Sequence, residues 1–195
     1  LVSRKGGGGK TTAAIHIAAA LSKKGKVLLV DEDPNMNASR WSLGGKLPFQ
    51  VSTREEAKST WESAKYIVVD TPARPDIKTL ERIVAASDLL VLPIAPSSLS
   101  LDALAVLVKD LKRLEADNYA ILLNIVPPPP SRKGEIIREM LIDNNLPVMK
   151  TFIKRLVALE KAVDNEDIVS EVKDPRAAIA WKNYMDATKE MDKLL

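Results

Sequence analysis

The stretch Lys5-Gly6-Gly7-Gly8-Gly9-Lys10-Thr11-Thr12 leaves the chain few choices of fold. A run of glycines is costly inside a helix or a strand, yet this one lies directly between two apolar segments. Leu1-Val2-Ser3 ahead of it reads as the tail of a buried strand, with a few residues expected to be missing in front. Ala13 to Leu21 behind it is apolar almost all round, broken only by His16, and reads as a helix buried against a sheet. A strand, a glycine turn and a buried helix in immediate succession open a layered α/β architecture.

The rest of the chain repeats that alternation. Val27 to Asp31, Tyr66 to Asp70, Leu89 to Ile94 and Tyr119 to Val126 are continuous rather than alternating apolar runs, as expected of parallel strands covered on both faces. Between and after them, apolar residues at three- and four-residue spacing predict helices over Ile77 to Ser87, Leu99 to Ala116 and Glu135 to Asn144. Asp174-Pro175 supplies an N-cap and a first helical residue, so Pro175 to about Leu194 is predicted as a closing helix. The fold class that follows is α/β, a doubly wound, mostly parallel sheet flanked by helices. With 195 residues, 46% of them hydrophobic, one domain spanning 1–195 is expected. The four prolines from Pro127 to Pro130 read as a stiff extended loop, the other reading being a ligand for a proline-binding module.

Composition removes several classes of function. There is no cysteine, so disulfides and thiolate metal sites are impossible. No apolar run approaches the roughly 18 residues of a membrane span, and no signal peptide is visible, so a cytoplasmic protein is expected. A net charge of +3 does not by itself name a nucleic acid as partner, although it permits a local basic face.

The chemistry of the glycine run is that of a phosphate cradle. Gly6, Gly7, Gly8 and Gly9 let backbone N–H groups converge on phosphate oxygens, and the helix beginning near Lys10 adds its positive dipole end. Lys10 is then placed to reach β- and γ-phosphates, with the Thr11 hydroxyl on Mg²⁺ and Thr12 completing the loop. The bland alternative is a glycine turn that merely precedes a helix. Arg4 stands where the general G-x-x-x-x-G-K-[ST] pattern requires glycine, and the segment fits K-G-G-x-G-K-T instead, with Lys5 as the extra lysine.

At this point the chain resembles the ParA/MinD family of deviant Walker A ATPases, which have the P-loop NTPase fold. Asp31-Glu32-Asp33-Pro34-Asn35 is similar to that family's D-x-D-P-Q switch, with Asn35 for Gln, and Asn37-Ala38 continues the likeness. Asp70-Thr71-Pro72 resembles its second switch, and Leu92 to Leu101 its V-x-P-V-x-P-S-P-L-D segment. The resemblance implies ATP and Mg²⁺ as cofactors. Lys5 would reach a partner's nucleotide across a homodimer formed on ATP binding, Asp33 would orient the attacking water, and Asp31 and Asp70 would hold the metal's hydration shell with Thr11. Asn124 matches a position that often hydrogen-bonds adenine, although a strand-end Asn is equally useful as a turn-former.

Within the family, the missing cysteines argue against the iron–sulfur branches. A membrane-bound MinD would end in a basic amphipathic helix, whereas Asp186 to Leu195 mixes acid and base in near balance, so no membrane is expected. The loop begins at once, so an N-terminal operator-binding domain is not expected. The reading that remains is a slow, partner-stimulated ATPase that binds DNA non-specifically, associates with the nucleoid, and positions a plasmid, chromosome or protein organelle through an adaptor protein. Its candidate DNA contacts are Arg132, Lys133, Lys150, Lys154, Arg155, Lys161, Lys173 and Arg176, the alternative being an ordinary solvated surface. The competing readings are a P-loop enzyme phosphorylating a small carboxylate and a membrane-associated MinD-like ATPase. His16 is expected to be a helix-surface or satisfied polar residue rather than a catalyst.

Overall fold

The computed structural model describes residues 1–57 and 60–195. They form two compact units, one of Leu1–Gly9, Pro72–Arg155 and Lys189–Leu195, the other of Lys10–Thr71 and Leu156–Thr188.

The second unit is built on a three-stranded parallel sheet. Helix α1 (Lys10–Ser22) leads to β1 (Val27–Asp31), α2 (Asn37–Ser42), β2 (Gln50–Thr53), α3 (Arg54–Ala57) and β3 (Tyr66–Asp70). The strand order is β2-β1-β3, and both pairings are parallel. All five residues of β1 are buried, as its unbroken apolar run requires of a central strand. Helix α1 buries Ala13 to Ala20 without interruption, because its alanines allow close approach to a sheet and leave no face for water. Two further helices belong here: α7 (Val157–Asp164) and most of α8 (Ala177–Met191). Ahead of α8 the Asp174 carboxylate accepts from the Arg176 N–H at 2.9 Å, so Asp174-Pro175 makes a turn and the helix starts at Ala177 rather than at the expected Pro175.

His16 is wholly buried in this unit, and its surroundings fix its protonation. Its Nε2 accepts from the Val169 N–H at 3.0 Å, so the ring proton lies on Nδ1 and is donated to the Thr12 carbonyl at 2.8 Å. The Tyr184 ring stacks on it at 4.8 Å and Trp41 meets it edge-on at 5.9 Å. His16 is therefore the satisfied polar residue of the two expected alternatives.

The first unit holds α4 (Ile77–Ala85), β4 (Leu90–Ile94), α5 (Ser98–Arg113), β5 (Tyr119–Leu123) and α6 (Lys133–Asp143). Strands β4 and β5 pair in parallel, and every residue of both is buried. The N-terminal residues lie against them as a strand tail. Val2 is buried and donates to the Val91 carbonyl at 3.0 Å, and Ser3 bridges Ala73 in parallel. On the other edge of β5, the segment 147–155 runs alongside it, with Met149 and Ile153 donating to Ile121 and Leu123. Helix α5 starts where Ser97 accepts from the Ser100 N–H, and α4 where Asp76 accepts from that of Thr79. The unit's core is aliphatic, gathered from Val2, Leu80, Leu92, Leu107, Leu111, Ile121 and Leu141 among others.

Two sequence expectations need correction. The strand predicted over Tyr119 to Val126 stops at Leu123, because Ile125 takes a left-handed backbone (φ 54) that breaks the extended run. The proline loop is not simply extended: Ser131 donates to Pro128 at 3.2 Å, closing a turn over Pro129–Pro130, whose peptide bond is cis.

Two outcomes follow for stability. Burial holds the His16 pKa down from 6.5 to about 4, so its contribution is complete above pH 6.5 and is lost as the pH falls. Urea unfolding is expected to lose roughly 2 kcal/mol between pH 7 and pH 5 from this group, a loss absent in His16→Asn. The buried Tyr184 hydroxyl has no hydrogen-bond partner among the described residues, so Tyr184→Phe is expected to leave stability unchanged or raise it by up to about 1 kcal/mol.

Candidate functional site

The parallel register of β1 and β3 sets Asp31 directly beside Asp70, both at the carboxyl ends of their strands. That edge is where a parallel α/β sheet places its ligand chemistry. Just beyond β1 the chain turns through Asp33, whose Oδ1 accepts from the Asn35 backbone N–H at 3.0 Å and from its side-chain amide at 2.8 Å. Met36 then enters the left-handed region (φ 49), and α2 begins. This turn is held from below by Asp31: its Oδ1 accepts from the Asp33 N–H, and its Oδ2 accepts from both the N–H and the hydroxyl of Ser39.

Lys10, the first residue of α1, brings its ammonium into this acidic corner. Its Nζ lies 2.5 Å from Asp70 Oδ1 and 3.3 Å from Asp33 Oδ2. All three side chains are buried, with exposures of 7%, 0% and 7% for Lys10, Asp70 and Asp33. Burial pushes the Asp33 carboxyl up, but the Asn35 N–H bond and the Lys10 charge outweigh it, and Asp33 stays below the usual carboxylate range. The second oxygen of Asp70 is buried with no hydrogen-bond partner among the described residues. Such an orphan acceptor beside a threonine-bearing helix start is a place for a water or a hard cation. Thr11 and Thr12 follow on α1, both half-buried.

In the other unit the glycine run is held by polar contacts at its start and end. Gly7 (φ 77) and Gly9 (φ 73) use positive-φ backbone conformations that favour glycine. Arg4, ahead of them, pairs with Asp110 of α5 at 2.6 Å, and its carbonyl accepts from Arg74 at 3.2 Å. Asn124, just past β5, donates to the Gly8 carbonyl at 2.9 Å and the Gly9 carbonyl at 3.3 Å. Gly6 and Gly7 are exposed. Lys5 is half-exposed, and its side chain makes no ion pair among the described residues.

Of the residues singled out from the sequence, Lys10, Asp31, Asp33 and Asp70 thus come together in one unit, and Gly8, Gly9 and Asn124 in the other. Sequence reasoning missed Ser39 and Arg4. Ser39 lies eight residues from the carboxylate it binds and is brought there only by the start of α2. Arg4 was read merely as a departure from the general loop pattern. Of the candidate DNA contacts, Arg132, Lys133, Lys150, Arg155, Lys161, Lys173 and Arg176 are exposed and Lys154 is half-buried, while Lys161 pairs with Asp174 at 2.8 Å. No helix among the described residues is long and apolar enough to cross a membrane.

Comparison with known proteins gives a consistent result. Residues 1–169 match the family described as the CobQ/CobB/MinD/ParA nucleotide binding domain. The chain is 32% identical to the maintenance of carboxysome distribution protein A of Gloeobacter kilaueensis, over 99% of this chain and 93% of that protein. Among solved structures, a Cyanothece McdA–ATP complex superposes with a TM-score of 0.77 at 17% identity, covering 98% of this chain and 94% of that one. MinD of Aquifex aeolicus superposes at 0.74 with 21% identity, covering 98% and 95%. At these identities the two structures establish the fold: a parallel sheet flanked by helices, as in P-loop NTPases.

The acidic corner generates a stability test. Lys10→Met keeps the aliphatic stem but leaves Asp70 and Asp33 without their counter-charge, and urea unfolding at pH 7 is expected to show a loss of about 3 kcal/mol.

Proposed function

Since the chain belongs to the CobQ/CobB/MinD/ParA nucleotide binding domain family, we propose that it is an ATPase that dimerises on binding ATP and uses that cycle to position a large cargo. The observation that carries the reading is the match along nearly the whole chain to a protein named for carboxysome distribution, which favours a protein organelle as the cargo. We take residues 1–195 to act as one P-loop ATPase domain.

The residues support a simple division of work. Gly6 to Gly9 offer backbone N–H groups to the phosphates, and Lys10 and Thr12 complete the cradle. Lys10 is held by Asp33 and Asp70. A triphosphate competes for that ammonium and frees the Asp33 carboxylate to orient a water for attack. Mg²⁺ fits the donor set, which is made of hard oxygens: the Thr11 hydroxyl, the uncommitted Asp70 Oδ2, and Asp31 through a hydration water. Bound there, it would neutralise charge on the β- and γ-phosphates. Lys5, with no ion-pair partner in its own subunit among the described residues, suits a cation given to the nucleotide of a second subunit. Release of phosphate would relax the Asp33–Asn35 turn and the Asp70-Thr71-Pro72 segment, so that the nucleotide state is read at the surface. An adaptor protein on the cargo would then time hydrolysis.

Non-specific DNA is the substrate track in this reading, which would place the protein on the nucleoid. Its contacts would come from the exposed lysines and arginines of the C-terminal third, among them Arg132, Lys133, Lys150, Lys173 and Arg176. Replacing Arg132 and Lys133 together by Glu is expected to weaken duplex binding for every sequence and to lower the slope of affinity against salt, measured by fluorescence anisotropy with ATP present.

The decisive measurement is mass in solution by light scattering. A dimer is expected with Mg²⁺ and ATP but not with ADP. Lys5→Ala is expected to remain monomeric with ATP, and Asp33→Ala to persist as a dimer because it cannot clear its nucleotide. A monomer under every condition would overturn the dimer cycle.

A further inference from the structure

We infer that Asn124 is a positioning residue for phosphate binding, a strut that turns the glycine loop's N–H groups toward the anion. The inference rests on the reading of this chain as an ATP binder. A peptide unit is planar and trans, so its C=O and the following N–H point in opposite directions. Tying down the Gly8 carbonyl therefore aims the Gly9 N–H the other way, and tying down the Gly9 carbonyl aims that of Lys10. Asn124 does both: its amide nitrogen donates to Gly8 at 2.9 Å and to Gly9 at 3.3 Å.

The strut is itself held on every side. Its backbone N–H donates to the Ile94 carbonyl at 2.7 Å, which pins it to the end of β4. Its Oδ1 accepts from the Ile125 N–H at 2.9 Å, which fixes the orientation of the amide. To allow that bond Ile125 adopts φ 54, a conformation a β-branched residue rarely takes and one that collects at functional sites. Asn124 is only 2% exposed, and a Cβ added to Gly9 would lie 2.6 Å from its amide nitrogen. Gly9 is thus needed for close approach as well as for its backbone angle. Both amide hydrogens are spent on the loop, so none remains for a base. Asn124 is accordingly assigned to the phosphate chain, with no hydrogen left to give a base.

The test is titration of the full chain, wild type against Asn124→Ala and Asn124→Asp, with ATP, GTP and inorganic tripolyphosphate in the presence of Mg²⁺. Melting temperatures recorded alongside identify folded variants. The Ala variant is expected to lose about tenfold in affinity for all three ligands with the ATP:GTP ratio unchanged, and the Asp variant, which sets a carboxylate against two carbonyls, to lose more. Gly9→Ala, which presses a methyl on an intact Asn124, is expected to lower all three affinities together. A changed ATP:GTP ratio with unaltered tripolyphosphate affinity would overturn the inference in favour of a base contact. Wild-type tripolyphosphate affinity in Gly9→Ala would overturn it even if the Asn124 variants did not fold. If the wild type bound none of the three ligands, the ATP reading itself would fall, and the strut with it.

Discussion

Everything in the acidic corner depends on one buried ammonium. The parallel register of β1 and β3 brings Asp31 and Asp70 together, and the turn after β1 adds Asp33. Buried carboxylates at such spacing repel one another and lack water, and removing a partner from a buried pair costs far more than making the pair gains. Lys10 resolves this by standing at the start of α1, a helix buried from Ala13 to Ala20. The same ammonium thus neutralises two carboxylates brought from the ends of different strands.

Different devices prepare the glycine run. Its exposed members need freedom, which glycine supplies, and its carbonyls need direction, which Asn124 supplies. Arg4 fixes the approach to the run through Asp110 and Arg74. Glycine's conformational freedom and the order imposed by side chains thus sit within a few residues of each other.

Much of this was legible in the sequence, for identifiable reasons. Strands β1, β3 and β4 announce themselves because a strand covered on both faces is apolar throughout, and α4, α5, α6 and α8 because helical periodicity survives wherever one face meets a core. Strand β2 was missed because Gln50–Thr53 is short and largely polar, which suits the edge of a sheet but resembles a loop. The segment 147–155 was missed for a related reason: it pairs with β5 through spaced bonds rather than a regular run. Helix α7 has eight residues and no side-chain cap to mark its start. Lys5, Lys10, Asp33 and Asp70 stood out by type and order. The contacts that position the site, Ser39 on Asp31 and Asn124 on Gly8 and Gly9, depend on tertiary approach across many residues, and no local pattern encodes them.

The contact of Trp41 and Tyr184 with His16 has a practical consequence. Trp41 lies on α2, just after the Asp33–Asn35 turn, is 6% exposed, and donates its indole N–H to the Asp167 carbonyl at 3.3 Å. Trp61 is 45% exposed and Trp181 is partly buried, so the three indoles emit from different surroundings. Ser39, two residues before Trp41, is bonded to Asp31, so the helix that carries the indole is tied to the end of β1. Imidazole quenches indole emission more strongly once it is protonated. The emission of Trp41 therefore reports on the surroundings of His16 without a dye.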